Sequence, residues 1–291
     1  MLLGDSPRHD SAGASQGRTL TQTLIASRLR AAGCVFAEDE AALIVEAAAS
    51  PDELEAMVAS RVSGLPLEQV LGWAEFCGLR IVVEPGVFVP RRRTALLVEQ
   101  TIALIDGVRD PVVVELCCGS GAVAAAVHAA RPDVELHASD IEPRAVHCAR
   151  RNLEGIGSVH EGDLTDALPD DLAGRVDVFV VNAPYVPSDE IAMMPPEARD
   201  HEPRVALDGG ADGVDVHRRV AEQASRWLRP GGHLVIETSR RQGPLTLDAM
   251  ARHGFEARVV RSDDLDGMAV IGQAMSSRRG PSGASSAGRP A

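Results

Sequence analysis

Along this chain of 291 residues the spacing of apolar positions changes character region by region. From Thr19 to Val62 the apolar residues recur at helical spacing: Leu20, Leu24, Ile25 and Leu29, then Ala41, Leu43, Ile44 and Val45, then Leu54, Met57 and Val58. Pro51 suits the first turn of the third of these helices, with Ser50 as its cap. From Gly64 to Pro90 the pattern becomes Trp73, Phe76, Leu79, Ile81, Val83, Val87 and Val89, punctuated by Gly72, Gly78 and Gly86, which predicts a β-hairpin linker. Beyond Arg92 strand and helix patterns alternate. Strands are predicted at Val112–Leu116, Val134–Ser139, Val159–Glu161, Val176–Val181, His233–Glu237, Phe255–Val260 and Met268–Gly272. A helix ending at Trp227 and Leu228 is stopped by Arg229-Pro230-Gly231-Gly232. Alternation of this kind predicts an α/β fold with a doubly wound parallel sheet. The expected organisation is a disordered tail over 1–18, a helical domain over 19–63, the hairpin linker over 64–90, the α/β domain over 91–274 and a second disordered tail over 275–291.

Composition narrows the class. Hydrophobic residues make up 45% and charged residues 24%, values of an ordinary globular protein. No apolar run reaches the roughly 20 residues of a membrane helix, and the N-terminus lacks the basic start and apolar core of a secretory signal. A cytoplasmic location is the default, with no membrane partner. The net charge of -13 opposes a broad nucleic-acid footprint, so no direct nucleic-acid binding is expected. All basic residues are arginines, and Arg91-Arg92-Arg93 is the one strong basic cluster. Five cysteines without CxxC spacing argue against a disulfide framework or a zinc site, and the histidines form no metal-binding grouping. A monomer is the default oligomeric state.

The first strand of the α/β region runs into Cys117-Cys118-Gly119-Ser120-Gly121 and then into the helical pattern AVAAAVHAA. A glycine turn between strand and helix lets the backbone approach a ligand, and the helix start offers unpaired N–H groups. By itself the loop also matches the dinucleotide fingerprint. Three acids at successive strand ends change the balance. Glu115, four residues before Gly119, disfavours a pyrophosphate and suits a cation such as a sulfonium. Asp140, 19 residues after Gly121, is placed to accept from both hydroxyls of a ribose, a feature that fits a nicotinamide cofactor equally well. Asp163 ends the third strand, where it is placed to accept from an adenine amino group. Together the three describe S-adenosylmethionine better than NAD.

The fourth strand stops abruptly at Asn182, and Ala183, Pro184 and Tyr185 follow. Ligands of open α/β sheets bind just beyond the carboxyl ends of the strands. An amide side chain, free backbone carbonyls and an aromatic ring at that place suit the gripping of a planar NH2 group with its nitrogen left open to attack. Taken alone, Asn-Ala-Pro-Tyr reads better as an ordinary strand-exit turn. Following a strand, in a chain with the glycine loop and Asp140, it points to methyl transfer onto an amide or amine nitrogen.

The stretches ELCCGSGAVA, SDIEPRAVHCARRN, VNAPYVP, EPRVALDGGADGVDVHRRV and LRPGGHLVIE resemble the HemK/PrmC family of release-factor protein-(glutamine-N5) methyltransferases, over about Gly64 to Gly272. The resemblance implies a seven-stranded, Rossmann-like class I S-adenosylmethionine-dependent methyltransferase sheet with a small helical N-terminal domain. It implies that Cys117, Cys118, Gly119, Ser120, Gly121, Asp140, Asp163, Leu164 and Asn182 hold S-adenosyl-L-methionine; Glu115, from the strand-end acids, and Ile141, beside Asp140, complete the expected cofactor site. By the same resemblance Asn182, Ala183, Pro184 and Tyr185 hold and activate the glutamine side chain, in the Gly-Gly-Gln loop of a peptide chain release factor. Two departures stand out. The family usually reads Asn-Pro-Pro-Tyr, where this chain has Ala183. It also reads Pro-Arg-Pro-Glu/Asp-Thr-Glu, where this chain has Pro90-Arg91-Arg92-Arg93-Thr94-Ala95, which predicts a reversed charge at the edge of the site.

Other readings stay open on the residues. They are an N-methyltransferase acting on another protein, a peptide or a small-molecule amide or amine; one acting on adenine in nucleic acid; an idle binding module of the same fold; and, last, a NAD-dependent oxidoreductase.

Overall fold

In the computed structural model, which describes residues 11–275, four helices precede the sheet: α1 (Ser11–Ala31), α2 (Ala37–Ala47), α3 (Pro51–Val62) and the short α4 (Leu67–Leu71). The cap of α3 is the expected one: Ser50 Oγ accepts from the Glu53 N–H at 3.2 Å, with Pro51 in the first turn. Ile25, Ala26, Leu29, Ala37, Ala41, Ile44 and Val58 form the core of this small unit. Leu20 and Leu24, expected in that core, are instead 67% and 69% exposed, because only one stripe of α1 faces α2 and α3. Helix α1 begins at Ser11, inside the 1–18 stretch expected to be disordered. Ala12, Ala14 and Gln16 are good helix formers, and extending an existing helix avoids the cost of nucleation. Residues 1–10 and 276–291, the rest of the two expected tails, lie outside the described residues.

The hairpin is β1 (Trp73–Phe76) paired antiparallel with β2 (Leu79–Val82). It is shorter than the predicted linker, and the turn of α4 before it was not predicted. The α/β unit follows as α5 (Ala95–Leu104), β3 (Val112–Leu116), α6 (Ala122–Ala130), β4 (Glu135–Asp140), α7 (Pro143–Asn152), β5 (Ser158–Glu161), β6 (Val176–Val181), α8 (Pro196–His201), α9 (Asp215–Trp227), β7 (Leu228–Glu237), α10 (Gly243–Arg252), β8 (Phe255–Ser262) and β9 (Gly267–Ala274). The seven strands lie in the order β5-β4-β3-β6-β7-β9-β8.

Strands β3 to β7 are mutually parallel, and β9 runs antiparallel to both β7 and β8. The sheet has the seven strands that the resemblance implies, and it is mixed, with β9 departing from the parallel arrangement read from the alternation alone. The link from β8 to β9 is a tight turn, which can join only antiparallel neighbours. Leu228 to Gly232, predicted to end a helix, already belong to β7, and a register irregularity against β6 between Val176 and Val178 accommodates the Pro-Gly-Gly run.

Strand alternation divides the core. Val113, Val178, Val180 and Val235 point to the face covered by α5 and α6. Val112, Val114, Leu116, Phe179, Val181, Leu234 and Ile236 point to the face covered by α9 and α10. Crossovers diverge on either side of the β3–β6 pair, so a crevice opens beyond the carboxyl ends of those two strands. No described helix is long and apolar enough to cross a membrane.

Candidate active site

The crevice is a cavity of about 240 Å³. Its walls include Cys117–Ser120, Asp140, Ile141, Asp163, Leu164 and Asn182–Tyr185, so most of the residues singled out in the sequence meet in one place. Glu115 and Gly121 are the exceptions.

The loop after β3 turns sharply, with Cys117, Gly119 and Gly121 all at positive φ (54°, 54° and 73°). A side chain at Gly121 would be strained by the positive φ and crowded, since a Cβ there would meet Leu153 Cδ1 at 3.1 Å and Ala149 Cβ at 3.3 Å. Its role is close packing of the turn against α7 rather than contact with the cavity. The loop is pinned to β4 by the Cys118 N–H on the Ser139 carbonyl (3.1 Å). Asp140 Oδ2 accepts from the Gly119 N–H and Oδ1 from the Glu142 N–H, each at 2.9 Å. A carboxylate fixed through both oxygens keeps lone pairs free for further donors. Burial raises the Asp140 pKa, and the backbone N–H groups partly offset that rise.

Glu115 departs from its expected place. It alternates with Val114 and Leu116 along β3 and so shares the α6 face with Val113, where Oε2 accepts from the Ala124 N–H at 2.8 Å. Burial pushes its pKa up to about 8. The carboxyl group thus caps the start of α6 beneath the loop, not the cavity. Asp163 lines the cavity, but its carboxylate is paired with Arg219 of α9 at 2.6 Å, a partner invisible in the spacing. Leu164 sits at positive φ (51°), its carbonyl held by Ser139 Oγ at 3.0 Å. Ile141 is 51% exposed and presents an apolar surface beside Asp140. The two thiols of the loop are free, and burial raises the pKa of both, which keeps them protonated and inert.

On the opposite wall, Asn182 follows the last residue of β6, and Ala183 is buried. Alanine here removes the fixed φ of proline. Long-range hydrogen bonds supply the order: Val186 N–H to the Leu207 carbonyl (3.0 Å), Gly209 N–H to the Val186 carbonyl (2.8 Å) and Ser188 N–H to the Gly210 carbonyl (3.0 Å). The glycines of the Asp-Gly-Gly-Ala-Asp-Gly run explain themselves here. A Cβ on Gly209 would lie 2.8 Å from the Pro184 carbonyl oxygen and from Tyr185 Cα, and one on Gly213 (φ +80°) would meet Gln242 Nε2 at 2.9 Å. That run is a cradle for the Asn-Ala-Pro-Tyr backbone.

Tyr185 donates its hydroxyl to Glu237 Oε1 (3.3 Å) at the end of β7, and burial pushes its pKa up to about 12. Arg93 Nε lies 3.4 Å from the same oxygen. Arg91 pairs with Glu202 at 2.5 Å, and the Glu202 side chain is almost wholly buried. The charge reversal predicted at Arg91–Arg93 is therefore largely cancelled: two of the three arginines are each balanced by a buried glutamate. The sequence showed Glu237 as an acid ending an apolar strand and Glu202 inside the most distinctive stretch, without showing which arginine each would meet.

The arrangement sets a fixed carboxylate and a close-approach loop on one side, and an amide, backbone carbonyls and an aromatic ring on the other. Comparison with known proteins sets the chain among methyltransferases. Residues 78–194 match the Methyltransferase small domain family. A release factor glutamine methyltransferase from Geobacter sulfurreducens is 38% identical over 212 residues, covering 71% of this chain and 73% of that protein. A 4-amino-L-phenylalanine/4-methylamino-L-phenylalanine methyltransferase from Streptomyces pristinaespiralis is 36% identical over 186 residues, covering 62% of this chain and 63% of that protein. Among solved structures, a methyltransferase from Pyrococcus furiosus shares the fold with a TM-score of 0.50 at 16% identity, over 68% of this chain and 90% of that one.

Proposed function

The chain belongs to the release factor glutamine methyltransferase family, and from that membership we propose that it methylates the side-chain amide nitrogen of the glutamine in the Gly-Gly-Gln loop of a peptide chain release factor. It is an S-adenosylmethionine-dependent methyltransferase. The observation that carries the reading is a single cavity lined both by the Asp140 loop and by Asn182–Tyr185.

The residues present fit S-adenosylmethionine. Asp140 has both oxygens oriented by backbone N–H groups, Ile141 offers an exposed apolar face, and the turn at Cys117–Ser120 brings backbone to the cavity wall. In this reading these residues, with Leu164 and Asn182, hold the cofactor. Glu115 acts only from beneath, by fixing the start of α6. When bound, the cofactor supplies a methyl group on a sulfonium.

An amide nitrogen is a poor nucleophile because its lone pair is delocalised into the carbonyl. Asn182 Oδ1 and the Ala183 carbonyl each accept one N–H of the substrate amide. This turns the nitrogen lone pair toward the donor and resists amide resonance. Holding two reactants in line is worth roughly 7–11 kcal/mol in favourable cases. No base needs to act first: as the N–CH3 bond would form, the S–CH3 bond would break and leave a neutral thioether, and only then would the nitrogen be acidic and give up its proton to water. Pro184 and Tyr185 form the wall against which the amide packs, and the Tyr185 face contributes about 0.5–2 kcal/mol toward a nearby cation. The enzyme acts as a cytoplasmic monomer without direct nucleic-acid contact.

A second reading is methylation of the amine of a small aromatic amino acid, supported by the similarity to the Streptomyces pristinaespiralis enzyme. One experiment separates the two. Purified protein is incubated with methyl-labelled S-adenosylmethionine and either a release factor, its Gln→Ala variant, or 4-amino-L-phenylalanine. One methyl added to the release factor and lost in the variant supports the first reading. Labelling of the small amine alone replaces it with the second.

A further inference from the structure

Residues 188–208 supply much of the acceptor-side wall, through Met194, Ala198, Glu202, Val205 and Leu207. The segment has little apolar anchorage. It consists of two single 3-10 turns, Ile191–Met193 and Arg204–Ala206, around α8, which buries no residue; the buried apolar side chains of the segment are Ile191 and Leu207. Met193 is 75% exposed. A stretch with so few buried contacts is the kind that opens locally.

Its ties to the rest of the protein include three ion pairs, each with the glutamate on the segment and the arginine elsewhere. Arg241, beyond β7, pairs with Glu190. Arg91 pairs with Glu202 at 2.5 Å. Arg61 of α3, in the helical domain, pairs with Glu197 at 2.8 Å. The last pair differs from the others. The Arg61 side chain is only 10% exposed, with Nε on Glu40 Oε2 at 2.6 Å, Nη2 on Glu40 Oε1 at 3.2 Å and Nη1 on the Leu65 carbonyl at 3.0 Å. The guanidinium is therefore held rigidly by its own domain before it reaches Glu197. Gly64 lies on the same seam, where a Cβ would come within 3.3 Å of His201 Nε2.

We infer that Arg61 is a positioning residue for substrate binding: through Glu197 it lets the helical domain hold the wall at 188–208 in the arrangement that receives the acceptor, while the cofactor side is independent of it. A planar guanidinium already fixed on a buried carboxylate loses little freedom when it takes a second partner. The inference rests on the release-factor reading for the identity of the acceptor and on nothing in it for the mechanics of the wall.

The test is Glu197→Gln in the full chain. Glu197 is 46% exposed and Arg61 keeps Glu40, so the variant folds. Amide exchange over 190–207 is expected to speed up by about fivefold, in line with loss of a partly exposed charge pair. The KM for a release factor should rise by about the same factor, with kcat and S-adenosylmethionine affinity unchanged. Added salt should raise KM in the parent protein more steeply than in the variant. Unchanged exchange, or a fall in cofactor affinity equal to the rise in KM, overturns the inference. If the parent protein leaves release factors unmethylated, the functional reading fails, and the exchange measurement still decides the role of Arg61.

Discussion

The two sides of the cavity are built by different means. The Asp140 side is mostly local: β3, one sharp loop, the start of α6 and the end of β4 lie within about one βαβ unit, with Leu164 joined to β4 by the Ser139 hydroxyl and Asp163 reached by Arg219 of α9. The acceptor side is assembled from distant pieces. Asn182–Tyr185 is cradled by Gly209 and Gly213, Tyr185 is tied to Glu237, and the wall at 188–208 is tethered by arginines from three other regions. One wall of the cavity is thus set largely by short-range structure and the other by long-range contacts that a few substitutions would retune.

Asn182→Ala tests this division most severely. Turnover should fall by about a thousandfold, as for loss of a positioned group at the reacting atoms, with cofactor affinity changing less than about tenfold. Single-turnover kinetics beside calorimetric titration of S-adenosylmethionine checks this. A loss confined to cofactor affinity would move Asn182 to the other side of the comparison.

Next in size is the response to pH, which pulls the two sides in opposite directions. His217, on the helix after the acceptor-side glycines, is fully buried against Thr246, and burial lowers its pKa to about 4. Its folded pKa lies below the unfolded value, so the unfolded chain binds the extra proton. Its contribution to stability is intact above about pH 6.5 and is lost as pH falls toward 4, roughly 3 kcal/mol in all. Glu115 is the reverse case: its pKa is raised, so stability is lost as pH rises from about 4.5 toward 8. Thermal melts across pH should show His217→Gln flattening the acid limb and Glu115→Gln the alkaline limb. A single variant flattening both would mean that the two groups titrate as a coupled pair.

Gly209→Ala should cost about 1–3 kcal/mol, because the added methyl meets the Pro184 carbonyl and not a movable side chain. Its kcat/KM should drop by more than its stability alone explains, with cofactor affinity held. Asp140→Ala should do the converse. With the acceptor for two backbone N–H groups removed, cofactor affinity should weaken by about thirtyfold, while kcat at saturating cofactor changes little.

The same division decided what could be read from the chain. The glycine turn, Asp140 and the strand that stops at Asn182 were legible because each is a short-range pattern with a physical cause: a positive φ, a strand end, an apolar run broken by a turn. Glu115 was misplaced although its strand was right, since which face a side chain takes follows from alternation against partners not yet known. The Arg91–Arg93 cluster suggested a reversed charge, and its partners Glu202 and Glu237 lie more than a hundred residues away in sequence. The antiparallel β9 was missed because a strand pattern carries no sign of its direction.

By itself the sequence determined the alternation of helices and strands, the glycine turn after the first sheet strand and the apolar run that stops at Asn182, since all of these depend on residues near one another in the chain. Only the tertiary structure decided how charge is balanced around the site, why the glycines at 209 and 213 are required and which domain steadies the acceptor wall. Those properties are set by contacts between segments far apart in sequence, whose pairing depends on the topology of the sheet.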